Sequence, residues 1–234
     1  MKNLLLASTS TLYKGAYLEY LMTALKELYS EAETICFVPY ARPGGISFDE
    51  YTKNVSEAFQ QIDKNVNGIH TFEDPEEAIV TAEALFVGGG NTFVLLNSLY
   101  QLNLLPLLRD RIFEGLPYLG TSAGSNLCGI TMQTTNDMPI VYPPSFKTLG
   151  AVPFNINPHY LDPPTHSEHM GETRETRIRE FHTYHNIPVV GLREGSWLRV
   201  KDEDITLHGV PKARIFEQGK AAVEIESGTK IDYL

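Results

Sequence analysis

Long apolar runs are missing from this sequence. A membrane span needs about 20 consecutive apolar residues, and no stretch is that long. The N-terminal Leu4-Leu5-Leu6-Ala7 follows a lysine, as in a signal peptide, but stops at Ser8-Thr9-Ser10 and reads better as a buried first strand. Cysteine is scarce. Cys36 and Cys128 are the two, both among apolar neighbours and outside any C-x-x-C pair. They are expected to be buried free thiols in a reducing compartment, hence a cytoplasmic protein. Positive charge is in deficit, with 19 Lys and Arg against 29 Asp and Glu, a formal net charge of −10. Such a surface repels nucleic acid and anionic lipid, so neither is an expected partner. An anionic substrate must then be held by a local arginine or lysine. Phosphate-binding loops are missing too. Gly88-Gly89-Gly90-Asn91-Thr92 has neither the spacing and lysine of G-x-x-x-x-G-K-[ST] nor the spacing of G-x-G-x-x-G. His166, His169 and Glu172 do not form a helical H-E-x-x-H, and Pro163-Pro164 puts the histidines in a loop, so no metal and no cofactor are expected.

What is present is an alternation of strand and helix over 234 residues, a length that one α/β domain, 1–234, can fill. Short β-rich runs at 4–6, 34–38, 69–72 and 84–87 alternate with helically spaced apolar residues at 17–29 and 48–62. Asp74-Pro75 starts a helix through Ala82, and Asn91 or Thr92 starts one running to about Tyr100. A further helix is expected at 106–114, closed by Gly115, then a strand at 116–119. Beyond it come a short strand at 151–156, a helix at 173–184, and strands at 188–192, 197–200, 205–208, 214–216 and 221–225. This order predicts an α/β fold: a mainly parallel sheet with helices on both faces and antiparallel strands in the C-terminal part. Its ligand site belongs beyond the carboxyl ends of the strands. Two loops land there, Gly88-Gly89-Gly90 and Gly120-Thr121-Ser122-Ala123-Gly124.

The second loop is a G-x-S-x-G pentapeptide between an apolar run and helix-compatible residues. On a tight strand-to-helix turn, serine is forced into a strained conformation with its hydroxyl exposed. The N–H of the next residue, Ala123, then points where an oxyanion would form. A glycine N–H of the Gly88–Gly90 loop, from Gly89 or Gly90, is a candidate second donor. A serine hydroxyl needs a base, and the base needs an orienting acceptor. Of seven histidines, His159 stands out: it follows a short apolar strand on the proline-marked turn Asn157-Pro158-His159. Two acids qualify as orienting group. Asp137 lies in the turn Asn136-Asp137-Met138-Pro139, and Glu194 in Glu194-Gly195 at a strand end. Spacing does not choose between them. Arg174 sits beside Thr173 at a helix start, where it could hold a substrate carboxylate bidentately.

Together these segments identify a family. The chain resembles peptidase E, the α-aspartyl dipeptidase family of serine peptidases, over essentially its whole length. The carriers are Val87-Gly88-Gly89-Gly90-Asn91-Thr92-Phe93, Thr121-Ser122-Ala123-Gly124, Thr134-Thr135-Asn136-Asp137-Met138-Pro139-Ile140-Val141, Ile156-Asn157-Pro158-His159 and Gly171-Glu172-Thr173-Arg174-Glu175. The resemblance implies a fold like class I glutamine amidotransferases, with serine in place of cysteine. It implies hydrolysis of peptides bearing a free N-terminal aspartate. Ser122 would be the nucleophile, His159 the base, and Asp137 the usual third member, with Glu194 also considered. Arg174 would read the aspartyl side chain. Thr121 stands where relatives can carry a bulkier residue. The expected partners are small peptides, and a monomer or homodimer is left open. The rival readings are a cyanophycinase-like hydrolase of β-aspartyl peptides, an esterase of the α/β-hydrolase type, and an inactive relative that binds an acidic ligand.

Overall fold

The structure is a computed structural model and describes residues 1–162, 171–231 and 234. Its centre is a seven-stranded sheet in the order β3-β2-β4-β5-β1-β8-β9. The strands are β1 (Asn3–Ala7), β2 (Thr34–Val38), β3 (Asn65–Gly68), β4 (Leu85–Val87), β5 (Tyr118–Thr121), β8 (Ser196–Lys201) and β9 (Asp204–Gly209). The first five run parallel, and β8 and β9 close one edge antiparallel. Period-two alternation sends successive side chains to opposite faces. Leu4, Leu6, Cys36, Val38, Leu85 and Val87 pack one face, under α3 (Pro75–Val80), α4 (Thr92–Gln101) and α5 (Leu104–Phe113). Leu5, Ala7, Ile35, Phe37, Phe86 and Leu119 pack the other, under α1 (Met22–Leu28) and α2 (Phe48–Phe59). Sheet strands buried on both faces must be apolar throughout, which is why these runs are legible.

A second sheet has the order β11-β10-β7-β6. It comprises β6 (Asn155–Pro158), β7 (Val189–Leu192), β10 (Ala213–Phe216) and β11 (Val223–Ile225). Strands β6 and β7 are parallel and in register, Pro158 opposite Leu192. Pro158 has no N–H to donate, and β6 is an edge strand, where that costs no ladder bond. Between the sheets lies the one-turn helix α6 (Ala123–Asn126), and α7 (Arg174–Phe181) is capped by the Thr173 hydroxyl on the Thr176 N–H at 3.1 Å.

Two expected elements shift. Residues 69–72 do not form a strand: Ile69–Thr71 is a 3-10 turn, and the strand is the preceding Asn65–Gly68. Among the described residues that strand pairs only with β2. An edge strand exposed on one side needs no apolar pattern, so period gives no sign of it. The strand expected at 151–156 begins only at Asn155. Ala151 and Val152 are buried but donate their N–H groups to Cys128 O, wrapping the segment after α6 instead.

Candidate active site

Ser122 lies at the carboxyl end of β5, immediately before α6, with φ 51° and ψ −106°. Bonds on both sides hold it there. Its N–H donates to Ala7 O at 3.0 Å, and its carbonyl accepts from Ser125 N and Asn126 N. The Ser125 hydroxyl lies 2.7 Å from Ala7 O and 2.8 Å from Gly120 O, tying the turn to β1 and β5. The flanking glycines permit close approach: a Cβ on Gly120 would strike Gly124 O, and one on Gly124 would strike Val87 O. Behind the turn, Cys128 Sγ lies 3.7 Å from Gly124 O. Burial pushes the thiols of Cys128 and Cys36 each up to about 12, so neither is a nucleophile near neutrality.

Adjacent parallel strands in register deliver the next two groups. His159 follows β6, and Glu194 lies two residues beyond β7. The Tyr160 N–H donates to Leu192 O at 3.0 Å. Ser8, at the end of β1, joins the sheets: its Oγ accepts from His159 N at 2.9 Å and donates to Leu192 O at 2.8 Å. The imidazole consequently bridges the two sides. His159 Nε2 is 2.9 Å from Ser122 Oγ, and Nδ1 is 2.7 Å from Glu194 Oε1. Nearby, the Tyr20 hydroxyl donates to Thr9 O at 2.6 Å, and burial raises its pKa.

Asp137 is placed elsewhere. Its Oδ2 accepts from Thr92 N at 2.7 Å, Thr92 Oγ1 at 2.6 Å and Thr135 Oγ1 at 3.0 Å. It therefore anchors the first turn of α4, where a carboxylate is favoured by the helix dipole. The carboxylate beside His159 is that of Glu194. The Asp137 turn still borders the histidine, because Asn136 Nδ2 donates to Pro158 O at 2.6 Å. Asn157 Nδ2 braces this turn, on Thr134 O at 2.7 Å and Asn136 Oδ1 at 2.9 Å. Arg174 lines a small cavity of about 50 Å³ with Thr135, Asn136, Asn157 and Arg177. Its pKa is lowered, first by desolvation and then by Arg177, and the charge of Asp137 opposes both. Among the described residues Arg174 forms no ion pair, whereas Arg177 reaches Glu172 at 3.8 Å and Arg179 reaches Glu175 at 2.6 Å.

The glycine loop lies against the serine. A Cβ on Gly89 would be 3.3 Å from Ser122 Cβ. The Tyr51 hydroxyl donates to Gly89 O at 3.3 Å, so the trans peptide turns the Gly90 N–H the opposite way. Gly90 has φ 151°, and a Cβ there would collide with Ala41 O. Neither Gly89 N nor Gly90 N has a hydrogen-bond acceptor among the described residues. Ala123 N, in the first turn of α6, belongs to the N–H groups that have no partner within a helix. His166 and His169 lie outside the described residues, and Glu172 is exposed. Ser8 and Tyr51 carry no motif signal, and Thr92 and Asn136, though inside segments that carry the resemblance, take no site role from it. They position the site through contacts that only the fold creates.

A parallel sheet ending in a strained serine turn, with histidine and carboxylate in one line of hydrogen bonds, defines a serine hydrolase. The comparisons narrow the class: the chain belongs to peptidase family S51, whose pattern matches residues 4–208. It is 48% identical to the "Probable alpha-aspartyl dipeptidase" of Drosophila melanogaster, over 100% of this chain and 97% of that one. It is 47% identical to the "Peptidase E" of Streptomyces coelicolor, covering 99% and 94%. The crystal structure of a peptidase from an acI-B1 Actinobacterium shares the fold, with a TM-score of 0.73 at 14% identity, covering 100% and 97%.

Proposed function

We propose that this protein is a serine dipeptidase that hydrolyses Asp-X peptides through an acyl-enzyme on Ser122. The observation that carries the reading is the unbroken line Ser122 Oγ, His159 Nε2, His159 Nδ1 and Glu194 Oε1 at 2.9 and 2.7 Å. His159 takes the Ser122 proton as the hydroxyl attacks the scissile carbonyl. Glu194 holds the imidazole in the tautomer with Nδ1 protonated and stabilises the imidazolium that forms. The developing oxyanion rests on the N–H groups of Ala123 and of Gly90 or Gly89. His159 then protonates the leaving amine, and water, activated by the same imidazole, releases aspartate.

Arg174 is the reader of the aspartyl side chain. Among the described residues it has no ion-pair partner; it is partly desolvated and lines a cavity shared with the segments flanking His159. A neutral side chain in its place would leave the arginine unpaired, which disfavours other N-terminal residues. Both cysteines are free, as expected of a cytoplasmic protein, and among the described residues no helix is long and apolar enough to cross a membrane. The test is a panel of Asp-Leu, Asn-Leu, Ala-Leu and β-Asp-Arg. The parent should cleave Asp-Leu alone at an appreciable rate, and Arg174→Ala should lose about 100-fold or more in kcat/KM on it. Undiminished Asp-Leu cleavage by Arg174→Ala would remove that residue from its role. Preferred cleavage of β-Asp-Arg would favour the β-aspartyl reading.

A further inference from the structure

A cavity of about 460 Å³ opens at the carboxyl ends of β1 and β2, on the α2 side of the sheet. Its walls include Ser10 and Tyr17 from the segment after β1, Arg42 from the loop after β2, and Tyr51 and Asn54 of α2. It adjoins the reacting groups through two walls. Tyr51, one wall, donates its hydroxyl to Gly89 O, and Gly89 abuts Ser122. The segment after β1, another wall, begins at Ser8, which holds the His159 N–H. This cavity and the Arg174 pocket share no lining residue.

The chemistry of this cavity is cationic at its mouth. The Arg42 guanidinium lies over the Tyr51 ring, 5.0 Å from its centre, and has no ion pair among the described residues. In a chain of net charge −10, a stacked arginine left without a carboxylate is available to an anion. The one acid lining the cavity, Glu57, is further along α2 and faces Lys53 at 3.9 Å. The Tyr17 hydroxyl is buried against Tyr51 and Ser10, and among the described residues no group meets it in full hydrogen-bond geometry. A buried, unpaired donor is costly unless a ligand engages it.

We propose that Arg42 and the Tyr17 hydroxyl bind the free α-carboxylate of the residue on the leaving side of the scissile bond. The assignment rests on the Asp-X reading above. The leaving amine must lie within reach of His159 Nε2, which protonates it, and a dipeptide's carboxylate is one residue further on. Arg174 and Arg42 then bracket the substrate, one reading the aspartyl side chain and the other the carboxyl terminus. This gives the enzyme a means of preferring dipeptides over longer chains.

The experiment compares kcat/KM for Asp-Leu with that for the p-nitroanilide of aspartate, which has no carboxylate on its leaving side. The ratio does not depend on how much of a variant is folded. For Arg42→Gln it should fall about tenfold or more, mostly through KM on Asp-Leu, as expected for loss of a charge-assisted contact. Tyr17→Phe should lower it in the same direction. A ratio equal to the parent's in Arg42→Gln overturns the assignment. A parent inactive on both substrates would instead overturn the Asp-X reading on which it rests.

Discussion

Ser122 occupies backbone angles that no ordinary turn asks of serine, φ 51° and ψ −106°, and such conformations cost about 1–3 kcal/mol. The cost is offset by the backbone bonds to Ala7, Ser125 and Asn126, and from this turn the hydroxyl lies 2.9 Å from His159 Nε2. Two carboxylates stand near that imidazole in sequence terms, but their partners differ. Glu194 meets His159 Nδ1, while Asp137 accepts three bonds from Thr92 and Thr135. Glu194→Gln should therefore lower kcat by roughly 10²- to 10⁴-fold with little change in unfolding midpoint. Asp137→Asn should lower kcat less and destabilise the fold by about 1–2 kcal/mol, because α4 loses an anionic anchor at its first turn. Steady-state kinetics beside urea unfolding separates the two, and the reverse pattern would exchange their roles.

At the scale of elements, the site is a product of strand ends: β5 supplies the serine, β6 and β7 the histidine and glutamate, and β4 the glycine loop. The turn between β5 and α6 tolerates no side chain at Gly124, whose Cβ would run into Val87 O. Gly124→Ala should cost about 3 kcal/mol or more, visible as a lower urea midpoint, since backbone of β4 must move. An unchanged midpoint would mean that β4 and the turn are not packed as described. The same elements explain what the sequence makes legible. The interior strands announce themselves by continuous apolar runs, and Ser122 by its glycines. The edge strand Asn65–Gly68 does not, because it is polar and pairs on one side only. Spacing does not distinguish Asp137 from Glu194 for a similar reason. It depends on β6 and β7 being parallel neighbours, with Pro158 opposite Leu192, a pairing across more than 30 residues that no local pattern encodes.

At the scale of the whole molecule, stability should depend on pH through His208. Its pKa is lowered, first by burial and then by Arg199, with Glu27 opposing, and its ring stacks on Trp197 at 4.4 Å. The unfolded chain, with the ordinary value of 6.5, then binds the proton more readily than the fold does. The contribution is present above that value and is lost as pH falls below it. Unfolding midpoints at pH 8 and pH 5.5 should differ less in His208→Gln than in the parent; an equal difference would assign the dependence to other groups. The proposed catalysis depends on one hydroxyl, that of Ser122, being the nucleophile. The measurement that reaches it most directly is intact-mass and peptide analysis after treatment with a serine-directed phosphonate. One adduct on the peptide carrying Ser122, absent from Ser122→Ala together with Asp-Leu hydrolysis, is the predicted result. Continued Asp-Leu hydrolysis by purified Ser122→Ala, or an inactivating adduct on another residue, would contradict it.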